Sequence, residues 1–98
     1  MIIDIEVVPQ PLGTDADKYA HVEAAIALAQ ASGLRYEVNA LGTTIEGAPD
    51  AVWPLLQAMH ESCLASGADF VITVCKIAEH REAAENPTID GLTQKFRT

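Results

Sequence analysis

The residues with the most chemistry per unit length sit in one short run, Val38-Asn-Ala-Leu-Gly-Thr-Thr-Ile-Glu-Gly47. Asn39 carries an amide that both donates and accepts, Thr43 and Thr44 carry hydroxyls with the same double capacity, and Glu46 adds a charge, all around Gly42. Such groups beside an apolar floor suit a small polar heterocycle. The same residues also suit a plain solvated hairpin, because threonine fits a pleated strand and a glutamate on its outer face meets water.

Other constellations carry less. His60 and Cys63 share a helix face at i, i+3, but two ligands fall short of a zinc site's three or four and Cys63 belongs to an apolar stripe, so no metal site is expected. His21 and His80 read as exposed. There is no GxSxG elbow, P-loop or GxGxxG, and neither cysteine falls at an expected helix start, so the chain reads as a non-enzyme. Glu79 could orient His80, but both lie in the polar run "AEHRE", a solvated loop. Tyr19 and Trp53 offer stacking surfaces, although rings at helix positions more often serve core or interface.

These residues must be positioned by a chain of 98 residues, enough for one domain. Nearly half the residues are apolar and a fifth are charged, the composition of a folded protein. A formal net charge of −8 lacks the clustered lysine and arginine that a phosphate backbone requires, which argues against nucleic acid. The carboxylate excess keeps a protein soluble and also tolerates cations. The start "MIIDIEVVP" has neither a basic leader nor a long apolar run, so a cytoplasmic protein without membrane insertion is expected. Cys63 and Cys75, without CxxC spacing, read as buried small hydrophobes rather than a disulfide.

The periodicities order the elements as βαββαβ. Met1 to Val8 alternates and ends at Pro9 and Pro11, and a helix capped by Thr14 or Asp15 runs to about Ser32 before Gly33. Leu34 to Leu41 and Thr43 to Gly47 form a hairpin about Gly42. Asp50 caps a second helix, with Pro54 in its first turn and Val52, Leu55, Leu56, Met59 and Cys63 as its stripe. The run "FVITVCKI" from Phe70 is an inner strand. Thr88 then caps a short helix carrying Ile89, Leu92 and Phe96, too brief to stand alone.

This order closes into an α+β, ferredoxin-like fold: a four-stranded antiparallel sheet with two helices on one face plus the short C-terminal helix. A single domain spans residues 1–98, and the short helix within 78–98 must dock either on its own sheet or on a neighbouring subunit, with an oligomer interface the expected place. Asp4, Glu6, Glu37, Asn39, Thr44 and Glu46 fall on the open face. With Phe70, Ile72 and Val74 turned toward the helices, Val71, Thr73, Cys75 and Ile77 face outward, giving an apolar centre with polar margins. Self-association into a dimer or larger assembly follows.

Four runs, "IEVVPQPLGT", "SGLRYEVNALGTTIEG", "DFVITVCKI" and "TIDGLTQKF", together resemble the small thiamine-binding proteins of the YkoF-like family. The resemblance covers nearly the whole chain in the same order, and "GLRYEVNALGTTIEG" is its most specific part. It implies a ferredoxin-like fold, homodimers that pair into homotetramers, and non-catalytic binding of thiamine or its hydroxymethylpyrimidine moiety in thiamine salvage, transport or sensing. No cofactor is implied. Thiamine joins a cationic thiazolium to an aminopyrimidine, so an acidic, hydroxyl-bearing pocket suits this small cationic heterocyclic ligand. On that expectation Glu6 or Glu46 meets the cationic or amino end, while Asn39, Thr43, Thr44 and Thr73 address the pyrimidine edge. The alternative is an oligomeric regulatory or interaction module whose open face is filled by a partner subunit, leaving no small-molecule pocket.

Overall fold

Alternation in the first strand decides the layering. A computed structural model, describing residues 1–97, has β1 (Ile2–Gln10) with Ile3 and Ile5 buried on one face and Asp4 and Glu6 on the other. Ile3 pairs with Ile45, and Ile5 with Thr43, of β3 (Thr43–Glu46). β2 (Arg35–Val38) and β4 (Phe70–Ala78) complete a sheet ordered β2-β3-β1-β4, every neighbour antiparallel. Two helices, α1 (Ala20–Ala31) and α2 (Pro49–Ala65), lie against the Ile3 face, and Ala25, Ala29, Val52, Met59 and Cys63 close the core with Ile3, Ile5 and Ile45. Burial of each large aliphatic there is worth roughly 1.5–3 kcal/mol. This is the expected ferredoxin-like βαββαβ arrangement.

Several local expectations are corrected. The first helix starts at Ala20 rather than near Thr14, because Thr14 closes a turn of its own: the Asp17 N–H donates to its Oγ1 at 3.0 Å, and the His21 N–H to the Leu12 carbonyl at 3.0 Å. Gly13 permits that turn, since a Cβ there would lie 2.3–2.5 Å from backbone atoms of Asp17, Lys18 and Ala20. His21, expected at the surface, is buried with Nδ1 2.6 Å from Ser66 Oγ at the end of α2. Helix α2 begins earlier than Asp50, with Pro49 in its first turn, so Pro54 lies inside it and leaves the Asp50 carbonyl without its helical donor.

The largest correction is the phase of β4. Register with β1 sets Val71, Thr73 and Cys75 opposite Pro9, Val7 and Ile5, on the helix face, and turns Phe70, Ile72 and Val74 outward. Those three are 56%, 52% and 53% exposed. Both alternations of "FVITVCKI" are apolar, so periodicity alone could not choose, and a one-residue choice reverses every side chain. Thr73 consequently faces α2, its Oγ1 2.5 Å from His60 Nδ1.

The C-terminal segment docks on the open face of the chain's own sheet. A 3-10 turn (Ala83–Glu85) leads to α3 (Ile89–Thr93), capped by Thr88, whose Oγ1 accepts from the Gly91 N–H at 2.9 Å, and a second turn (Gln94–Phe96) follows. Ile89 is buried and donates its N–H to Glu46 Oε1 at 2.6 Å. Arg35 bridges Glu37 at 3.1 Å and Asp90 at 2.9 Å, and Arg97 reaches the same two carboxylates.

Candidate functional site

β1 outruns its inner neighbour, and the site grows from that mismatch. Pairing with β3 stops at Ile5–Thr43, whereas pairing with β4 continues to Gln10–Phe70. The β2–β3 connection, Asn39 to Gly42, closes on itself through the Asn39 N–H and the Gly42 carbonyl at 2.8 Å instead of extending the ladder. Gly42 lets this loop approach β1, for a Cβ there would lie 3.2 Å from the Ile5 carbonyl oxygen.

Two hollows flank the loop. Between the sheet and α1 lies a cavity of about 210 Å³ with an apolar floor from Ile5, Val7, Val22, Ala25, Ile26 and Met59; Leu12 and Tyr19 also line it. On the open face a second hollow of about 360 Å³ is lined by Asp4, Glu6, Val74 and Lys76. Glu6, Asn39, Leu41 and Gly42 line both. Beside the open hollow a polar chain runs from the β2–β3 loop across β3 to β1: Asn39 Nδ2 donates to Thr44 Oγ1 at 3.4 Å, and Thr44 donates to Asp4 Oδ1 at 3.2 Å. Each bond fixes the orientation of the next group.

The structure therefore divides the candidates drawn from the sequence. Glu6 and Asn39 line both hollows, Thr43 is buried and lines the inner cavity, and Thr44 orients Asn39 from the open face. Glu46 lines neither hollow and holds Ile89 instead, while Thr73 faces His60 on the far side of β4. Tyr19, half exposed, stands at the inner cavity, whereas Trp53 on α2 does not.

Sequence reasoning passed over Asp4, Leu41 and Lys76. Asp4 shares the phase of Glu6 two residues away, which was signal enough. Leu41, 81% exposed at a loop tip, borders both hollows, and an exposed leucine in a polar turn is a weak cue by itself.

Neither thiol is an activated nucleophile. Burial pushes the Cys63 thiol up, and burial together with the nearby Asp4 charge pushes up that of Cys75. Among the described residues no three His, Cys, Asp or Glu side chains converge as a metal cluster would. No helix among them is long and apolar enough to cross a membrane.

The family described as "Thiamine-binding protein" matches residues 3–96. A UPF0045 protein of Methanothermobacter thermautotrophicus is 33% identical over 84 residues, covering 84% of this chain and 85% of the relative. The solved structure of a domain of unknown function, DUF77, from Bacillus cereus is 38% identical, with a TM-score of 0.83 over 98% of this chain and 88% of its own. A Thermotoga maritima protein provisionally assigned to thiamine biosynthesis or salvage shares the fold, with a TM-score of 0.80 at 23% identity over 98% and 97% of the two chains. This chain belongs to the thiamine-binding protein family.

Proposed function

We propose that the protein binds, without transforming it, thiamine or the hydroxymethylpyrimidine moiety of thiamine, in the hollows around the β2–β3 loop. The observation that carries this reading is that Glu6 and Asn39 line both hollows at once. The inner cavity, about 210 Å³, is smaller than the roughly 300 Å³ at which pockets for drug-sized ligands begin, and suits one heterocyclic ring. In the outer hollow the two carboxylates of Asp4 and Glu6 outnumber the one ammonium of Lys76, which leaves a negative balance for a cation. Asn39 and Thr43 address the pyrimidine, and Thr44 acts through Asn39. A role in thiamine salvage, transport or sensing, in the cytoplasm, fits a binding protein of this family.

Calorimetry with thiamine, thiamine phosphates and hydroxymethylpyrimidine tests the reading. Heat with thiamine or the free pyrimidine is expected, and no heat with any of them overturns it.

The row Phe70, Ile72 and Val74 supports self-association as well. It lies on an edge strand and is more than half exposed, and over the far edge of the sheet the tail exposes Leu92 and Phe96 as well. A second copy of this chain covers it in our reading, giving a homodimer, with tetramers as the next step. Light scattering should report at least a dimer at micromolar concentration, and Ile72→Glu should shift it toward monomer. A wild-type monomer under those conditions refutes the assembly and leaves the ligand reading intact.

A further inference from the structure

The gap beyond the end of β3 leaves backbone as well as side chains facing the inner cavity. The Gly47 N–H donates to the Met1 carbonyl at 3.0 Å, which fixes the parity of β1. Met1, Ile3 and Ile5 direct N–H and C=O toward β3, and the residues between them direct theirs toward β4, because a strand bonds its two neighbours alternately. The parity carries Val7 and Pro9 toward the side that β3 has vacated. Proline at position 9 fits this well, since its missing donor would face no strand.

Val7 is thus the one place where a complete main-chain donor–acceptor pair of β1 looks into the gap between β1 and the Asn39–Gly42 loop. Its pairing with Thr73 of β4 is the non-hydrogen-bonded kind, and its N–H and C=O have no partner among the described residues. Val7 lines the inner cavity beside Glu6, Asn39 and Thr43. An unsatisfied backbone pair on a partly enclosed wall is costly unless water or a ligand meets it.

Resting on the binding function proposed above, we infer that the Val7 N–H and C=O are the subsite that reads the ligand's ring edge. The ligand class is a planar heterocycle with an acceptor nitrogen next to an amino donor. That edge is the complement of one residue's N–H and C=O, the same two-bond pairing an antiparallel partner residue would have made. An aminopyrimidine has this edge: its ring nitrogen accepts from the Val7 N–H while its amino group donates to the Val7 carbonyl. The ring takes the place of the strand residue that β3 fails to supply, and Thr43 and Asn39 border it. This kind of recognition adds a strand-like partner to a sheet edge, here with a small molecule.

The test uses the full chain, labelled with nitrogen-15, and two probes: hydroxymethylpyrimidine and its analogue lacking the exocyclic amine. On adding the amino compound, the Val7 amide proton should move downfield and its exchange with solvent should slow. The deamino analogue, which leaves the Val7 carbonyl unpaired, should bind about tenfold more weakly. Val7→Pro, which deletes the N–H without touching the ladder to β4, should weaken binding to a similar degree. Because proline can also perturb the strand, the wild-type Val7 resonance decides. If other amides shift while that of Val7 does not, or if the two probes bind equally, this subsite is wrong and the binding function stands. If no amide shifts with either probe, hydroxymethylpyrimidine binding fails and the subsite fails with it.

Discussion

The two ends of the β2–β3 hairpin carry similar residues to different fates. At the open end, Glu46 accepts from Ile89 of the chain's own C-terminal segment, and the same segment reaches along β2 to Glu37, which pairs with Arg35 and Arg97. At the loop end, Asn39 and Glu6 border both hollows and Thr43 borders the inner one, and among the described residues none of the three is bonded to the C-terminal segment. A carboxylate on this face is thus a structural clamp or a candidate ligand contact according to what else the chain lays over it. Residue type does not decide.

The sharpest way to break this contrast is Glu46→Ala. Removing the acceptor strands the part-buried Ile89 N–H, so solvent exchange at that amide should accelerate by roughly one to two orders of magnitude, the worth of a hydrogen bond to a charged group. Thiamine affinity should change by less than about twofold, within the error of ordinary surface substitutions. A large loss of affinity in calorimetry, with the tail still protected, would return Glu46 to the site and erase the difference between the two ends.

Glu6→Gln probes the other end. Loss of the charge should weaken thiamine by about tenfold and neutral hydroxymethylpyrimidine by much less, since only the former carries a fixed cation. Equal losses for the two ligands would mean that Glu6 contributes shape rather than charge. Thr43→Val comes next. It keeps the β-branched shape and removes the hydroxyl, so the pyrimidine should bind roughly threefold more weakly, with little change in melting temperature.

Much of this architecture was legible in the chain. Ile3 and Ile5 against Asp4 and Glu6 gave the face of β1, and the stripe from Val52 to Cys63 gave that of α2, because each pattern has one apolar side. In "FVITVCKI" both sides are apolar, and only pairing with β1 separates Thr73 from Val74. The site was half legible for a similar reason. Asn39, Thr43 and Glu6 could be picked out by chemistry, but the fate of Glu46 depended on a helix 43 residues downstream. No local pattern encodes such a contact. The gap beside Val7 was likewise invisible, since it arises from a difference in strand length and involves backbone that every residue shares.

The smallest effect expected is on pH. Asp90, largely exposed, has its carboxyl held below the usual range, chiefly by the hydrogen bond from Arg35, then by the charges of Arg35 and Arg97. A depressed folded-state pKa adds stability that is complete above the unfolded value, about 3.9, and is lost as pH falls through the lower folded value. Docking of the tail should therefore be indifferent to pH near neutrality and loosen only in acid, most visibly at low salt, where the exposed pair is least screened. Glu37 and Glu46 face the same segment, so Asp90→Asn isolates the share of Asp90. The Ile89 methyl resonances report docking: they should move on acidification below about pH 4 in the wild type, and less in Asp90→Asn. Identical titrations would mean that Asp90 adds nothing to docking, leaving the Ile89–Glu46 hydrogen bond and the Arg97–Glu37 pair to hold the tail.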